Sequence, residues 1–306
     1  MSVFPIAASC ALFAAGAFSQ TFDDLAALYR YDKAAPLLIQ EKETADRGGY
    51  KLYSIQYALP KGGAKSGLLV MPSGPGRKPA IVWIHSGGPI QFLGDAVLMA
   101  KAGAASILVG GEGIKESPEQ SREDMIRDVI GLRRAVDVLE SRSDVDGSRL
   151  ALVGHSYGAM MAAVAASIDP RFRAAVFEVG LLGMSIHIAT SPHPWAESVR
   201  KGLGNDLAHF LEVISVVDAK HYIGHAPAIP KLFQSAWFDP GVGHKDAQDS
   251  FDLATGPKTL KWYDTGHDVD DIAAMADRAR FLAKALQLRN VDRVLREKAG
   301  LLVPSK

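Results

Sequence analysis

The chain has 306 residues, 48% hydrophobic and 22% charged, a composition typical of soluble globular proteins and enough chain for a large core without disulfide or metal staples. Its 34 basic and 34 acidic residues cancel, and no basic cluster interleaves with aromatics, so the sequence carries no electrostatic footprint for nucleic acid. A neutral or weakly charged small molecule is the ligand class that fits.

Residues 3–18 are almost continuously apolar, and charge begins only at Asp23. Ala17-Phe18-Ser19 sets small residues at the two positions a signal peptidase reads, which predicts a signal peptide over residues 1–19 and a secreted or periplasmic protein. The segment before the apolar run lacks Lys and Arg, so a retained anchor is the alternative; the run is short for a bilayer span, and no stable membrane insertion is expected after cleavage. Cys10 is the only cysteine and lies inside this run, so the cleaved chain would have no thiol for a disulfide, a nucleophile or a metal.

Residues 20–65 read as an N-terminal extension and residues 66–306 as the main domain. Short strands are predicted over 52–58 and 66–71, on either side of the turn-rich Pro60-Lys61-Gly62-Gly63. Buried-strand runs follow at 80–84, 106–109, 150–153, 174–177, 231–236 and 260–263. Helical patterns lie between them at 96–102, 121–141 and 160–168, with a long one at 270–288. In the 121–141 segment Met125, Val129, Leu132, Val136 and Leu139 form one stripe on one helix face. Short apolar runs alternating with amphipathic helices predict an α/β fold, a mostly parallel sheet with helices on both faces. Residues 181–228 break the rhythm with Pro192, Pro194, Trp195 and the histidines His187, His193, His209, His221 and His225. They are predicted to form a helical cap insertion over the C-terminal edge of the sheet, where open α/β sheets bind ligands.

The chemistry is concentrated in Gly154-His155-Ser156-Tyr157-Gly158, a G-x-S-x-G pattern between a predicted strand and a small-residue helix. In such a strand-to-helix elbow the serine sits in a strained turn and its hydroxyl rises above the sheet, while the glycines let neighbouring backbone pass closely. A serine hydroxyl is a poor nucleophile at neutral pH and needs a base. His267, after the last predicted strand in Asp264-Thr265-Gly266-His267-Asp268, is placed for that role. Asp239, in the turn-rich Trp237-Phe238-Asp239-Pro240-Gly241, is the expected acid; Glu178 is the runner-up. Two backbone N–H groups should form the oxyanion hole. One is that of Tyr157 and the other comes from Ser86, Gly87 or Gly88 in His85-Ser86-Gly87-Gly88-Pro89.

With these residues the chain resembles the α/β-hydrolase superfamily, and within it the bacterial dienelactone-hydrolase-like and prolyl-oligopeptidase-like serine esterase branch. The resemblance runs over residues 66–288. It implies an α/β-hydrolase fold with Ser156 as nucleophile, Asp239 as acid and His267 as base. True dienelactone hydrolases carry cysteine where this chain has Ser156, so the resemblance favours a serine carboxylesterase acting on a small ester through an acyl-serine intermediate.

The remaining signals are weaker. His221 and His225 have ligand-like spacing, but Gly224 and Pro227 interrupt the helix they would need, and no metal site is expected. Gly110-Gly111-Glu112-Gly113 lacks the spacing of a dinucleotide or phosphate loop, and no cofactor is implied. Two other functions are compatible with the same motifs: a serine peptidase or acyl-peptide hydrolase, and a non-catalytic ligand-binding protein. The usual peptidase appendage is a propeller, which about 65 residues before the core cannot build. None of the motifs speaks to oligomeric state.

Overall fold

The computed structural model describes residues 21–300; the predicted signal peptide and Cys10 lie outside the described residues. The described strands are β1 (Gln40–Asp46), β2 (Tyr50–Ala58), β3 (Ala64–Pro72), β4 (Lys78–His85), β5 (Ala105–Gly110), β6 (Val145–His155), β7 (Phe172–Glu178), β8 (Lys231–Ala236) and β9 (Lys258–Tyr263). They form one sheet in the order β1-β2-β3-β5-β4-β6-β7-β8-β9. The first three pair antiparallel, and every pairing from β5 to β9 is parallel. The sheet therefore matches the expected α/β architecture.

The helices are α1 (Phe22–Ala27), α2 (Leu93–Ala102), α3 (Pro118–Glu140), α4 (Tyr157–Ile168), α5 (Met184–Thr190), α6 (Pro194–Leu203), α7 (Leu207–Ser215), α8 (His244–Leu253), α9 (Ile272–Leu286) and α10 (Val291–Gly300). One face of the sheet buries the apolar stripe of α3 together with α4, and the other buries α2, α9 and α10. Ser117 caps α3 by accepting from the Gln120 N–H at 3.3 Å, and Pro118 occupies the first turn, where its missing N–H costs nothing. The small residues of α4 let it lie close against the middle of the sheet, and nearly all of them are buried.

Residues 40–65 do not stand apart as an extension. β1 and β2 extend the same sheet, and the expected boundary between residues 65 and 66 falls inside β3. α1, β1, α8 and α10 were not anticipated. β1 (QEKETAD) is an edge strand exposed along almost its whole length, so it shows no alternation of apolar and polar residues. The segment between β7 and β8 is helical, as expected, and contains α5, α6 and α7. No described helix is long and apolar enough to cross a membrane.

Strand order reverses around β4: β5 pairs on one side of it and β6 on the other. At such a switch point the loops leaving the two strands diverge and open a crevice at the carboxyl edge. The register places His85, His155, Glu178 and Gln234 side by side at that edge of β4, β6, β7 and β8. The chain leaves these four ends carrying Ser86, Ser156, the helical insertion and Asp239.

Candidate active site

Ser156 links β6 to α4 with φ 55° and ψ −122°, outside the regions open to most side chains. A turn of this kind costs on the order of 1–3 kcal/mol and persists only when its surroundings impose it. Here the Ser156 N–H donates to the Glu178 carbonyl at 2.9 Å, and the Ser156 carbonyl accepts from Ala159 N at 2.9 Å. Both glycines of the motif are sterically required. A β-carbon on Gly154 would lie 2.4 Å from the Gly158 carbonyl oxygen, and one on Gly158 would lie 2.3 Å from that of Ile84.

Three side chains far apart in the chain meet above this elbow. His267 Nε2 lies 2.8 Å from Ser156 Oγ, and His267 Nδ1 lies 2.8 Å from Asp239 Oδ2. An ionised carboxylate can only accept, so Nδ1 carries the proton and donates to Asp239. Nε2 is then left to accept from the serine hydroxyl. The Asp239 side chain is nearly fully buried, while that of His267 is a third exposed. Burial pushes the Asp239 carboxyl up, but His267 and the N–H groups of Gly241 and Val242 outweigh it and leave the group below its ordinary value. Asp239 therefore starts the Asp-Pro-Gly turn with one oxygen and holds the imidazole with the other.

The expected oxyanion donors separate on hydrogen bonding. Gly87 N–H donates to His85 Nδ1 at 2.8 Å and Gly88 N–H to the His85 carbonyl at 3.2 Å, so both are occupied. Among the described residues nothing accepts from the N–H of Ser86 or of Tyr157. Tyr157 opens α4, where the first-turn N–H groups lack helical partners and the dipole favours negative charge. Ser86 and Tyr157 both line the cavity that contains Ser156 and His267. Glu178, the runner-up acid, does not reach His267. It is buried against Arg278 Nη1 at 2.8 Å, and burial pushes its carboxyl up to about 8 despite that partner.

The nine-stranded sheet with its strand-order reversal has clear relatives among solved structures. An acetyl xylan esterase from Paenibacillus sp. R4 is 21% identical, with 86% of this chain covering 92% of that one at a TM-score of 0.69. Acetyl xylan esterase 1 from Thermoanaerobacterium sp. JW/SL YS485 is 14% identical, with 87% and 93% coverage and the same TM-score. This chain has the α/β-hydrolase fold. A puromycin hydrolase shares the fold at 17% identity and a TM-score of 0.63, with 81% of this chain covering 40% of that one. The sequence profile of the Prolyl oligopeptidase family matches residues 119–249, which include the elbow and Asp239. No curated protein sequence matches the chain.

Around the triad of this hydrolase fold lies a shell that motif reading missed. His155 Nε2–H donates to the main-chain carbonyl of His267 at 2.7 Å, and the His155 ring stacks on that of His85 at 4.2 Å and 4°. Burial, reinforced by His85, brings the His155 imidazole down to about 3, so it is neutral at physiological pH. His155 thus ties the backbone of His267 to the ring that anchors the Ser86–Gly88 turn. The available signal was a pair of histidines closing two strands that flank the switch point.

Beneath Tyr157 lies a buried ionic group. Asp128 Oδ2 accepts from the Tyr157 hydroxyl at 2.9 Å and from Glu112 N at 2.7 Å, and Asp128 Oδ1 pairs with Lys65 Nζ at 2.5 Å. Asp128 lies three residues after Met125, on the apolar stripe of α3, and a carboxylate there was the readable sign. Gly111 makes room for this group: a β-carbon on it would lie 2.6 Å from Tyr157 Cε1. His225 of the insertion stacks on Phe22 at 4.2 Å, and no cluster of three or more metal-ligating side chains occurs among the described residues.

Proposed function

We propose that this protein is a serine carboxylesterase-type hydrolase that cleaves a small neutral ester through an acyl-serine intermediate. The observation that carries the reading is the continuous hydrogen-bonded relay from Asp239 through His267 to Ser156, with 2.8 Å at each link. Ser156 Oγ attacks the ester carbonyl while His267 Nε2 takes its proton, and Asp239 stabilises the imidazolium that forms. The negative charge that develops on the carbonyl oxygen is received by the N–H groups of Tyr157 and Ser86. His267 then protonates the departing alcohol and activates the water that releases the acid.

The cavity over Ser156 has a volume of about 400 Å³. Apart from the catalytic groups its walls are mostly apolar, with Met160, Leu181, Met184 and Val242 among them, and none of Lys, Arg, Asp or Glu lines it. A substrate carboxylate or phosphate would have no cation to meet there, which favours a neutral ester. The solved relatives named as esterases accord with this choice. The match to the Prolyl oligopeptidase family favours a second reading, amide cleavage, by the same triad.

Intact-mass measurement after treatment with a fluorophosphonate tests the reading. One adduct is expected on the wild type and none on Ser156→Ala, with hydrolysis of 4-nitrophenyl acetate lost in parallel. Faster cleavage of aminoacyl 4-nitroanilides than of aryl esters would make the protein a peptidase. An unlabelled, inactive wild type would leave a non-catalytic binding protein.

A further inference from the structure

His193 precedes α6 as its N-cap residue, a position where Ser, Thr, Asp or Asn serves best. Its Nδ1 accepts from the Trp195 N–H at 3.1 Å. In a neutral imidazole an accepting Nδ1 places the proton on Nε2, so the cap that seats the ring also sets its tautomer. The surrounding backbone is well tied: Ser191 Oγ accepts from His193 N at 3.1 Å, and Arg200 Nη1 donates to the carbonyls of Ile188 and Ser191 at 2.6 and 2.9 Å. The His193 Nε2–H has no acceptor among the described residues, and His193 lines the cavity over Ser156.

The location of this donor relative to the triad gives it a use. A β-carbon built on Gly241 would lie 3.7 Å from His193 Cδ2, the atom bonded to Nε2, and 4.0 Å from His267 Nδ1. His193 and His267 therefore both border Gly241, and all three line the cavity. Because His267 must protonate the departing alcohol, the alcohol half of an ester lies against that imidazole, in the cavity that His193 and Gly241 also line. His187, the other histidine of the cavity wall, is held below its ordinary value by burial, so it adds no cation.

Resting on the esterase reading, we propose that His193 is the specificity-determining donor of this site and selects short-chain neutral esters whose alcohol carries a second hydrogen-bond acceptor. A hydroxyl or ether oxygen a few bonds from the scissile oxygen is the group it would receive. In a largely apolar cavity, one donor held in place by backbone is the kind of feature that sets orientation and selectivity. It also explains why a histidine stands where an asparagine would cap the helix at least as well.

The matched pair 2-methoxyethyl acetate and butyl acetate, which differ by one ether oxygen in place of a methylene, reads out the donor. The comparison is between wild type and His193→Asn, since asparagine keeps a capping oxygen for the Trp195 N–H but does not reach the alcohol. The ratio of kcat/KM values, ether ester over alkyl ester, should fall about tenfold in His193→Asn, the net worth of one hydrogen bond. Comparing this ratio between the two proteins cancels the intrinsic reactivities of the two esters. Ethyl methoxyacetate against ethyl butanoate, the same exchange on the acyl side, should show no such change.

An unchanged ether-to-alkyl ratio in a variant with wild-type circular dichroism overturns the proposal, and a change confined to the acyl pair overturns its placement on the alcohol side. The two readings fail separately. If the wild type labels with fluorophosphonate and turns over both acetates with no difference between the proteins, only the donor assignment is lost. If it neither labels nor turns over either ester, the esterase reading fails and this proposal falls with it.

Discussion

Replacing His155 by phenylalanine isolates one hydrogen bond in the wall of the site. Phenylalanine keeps a flat ring to stack on His85 but cannot donate to the His267 carbonyl, which now receives Nε2–H at 2.7 Å. A buried acceptor that loses its partner costs about 1–3 kcal/mol. If that cost appears in full at the transition state, because the loop carrying His267 is no longer held in register, kcat/KM falls about 5-fold to 160-fold at 1.36 kcal/mol per tenfold.

The same substitution has a pH signature. The folded imidazole titrates near 3, against 6.5 for a free one, so the unfolded chain binds the extra proton between these values. The stability tied to a neutral His155 is therefore fully present above pH 6.5 and lost as pH falls toward 3. His155→Phe has no such group, and its stability deficit relative to wild type should shrink over that window. Aryl acetate turnover at pH 8 and urea unfolding at pH 7, 5.5 and 4 measure both effects. Turnover within twofold of wild type, with a stability gap that does not vary with pH, would refute the tie between His155 and the base.

Asp239→Asn should cost about 10⁴-fold in turnover, because an amide donor facing Nδ1 favours the tautomer in which Nε2 cannot accept the serine proton. Its oxygen can still accept from Gly241 and Val242, so the melting temperature should change little; a large drop in melting temperature would mean that the turn, not the tautomer, is at fault. Lys65→Met strands the Asp128 carboxylate, whose side chain is fully buried and is held to Lys65 Nζ at 2.5 Å. The expected loss is about 3–5 kcal/mol in urea unfolding, partly recovered in Lys65→Met/Asp128→Leu, where the one carboxylate left without Lys65 is that of the half-exposed Glu112. An unaffected Lys65→Met midpoint would show that the pair contributes nothing to the fold.

Most strands and the elbow were legible because their signals are local. Apolar runs such as those in β4 to β8 are continuous, since both faces of a parallel sheet are covered. Gly154 and Gly158 flank Ser156 because backbone passes within 2.4 Å of where their side chains would be. β1 was not legible because an exposed edge strand has no buried face to pattern it. α10 carries a readable sign, Val291, Val294 and Leu295 at helical spacing, but the run is too short to stand out from a loop. Asp239 and His267 were reachable from chain order alone, since each follows the strand that a relay on this edge requires.

The amino-acid sequence alone determined the alternation of strands and helices, the strained turn at Ser156, and the loops in which Asp239 and His267 follow their strands. Each depends on residues within a few positions of one another. Tertiary structure decided which N–H of the Ser86–Gly88 turn stays free, that His155 braces the main chain of His267, that Asp128 lies beneath Tyr157, and that His193 lines the cavity. Those outcomes depend on which groups from distant segments satisfy each other's hydrogen bonds, and that pairing exists only once the strands have closed into a sheet.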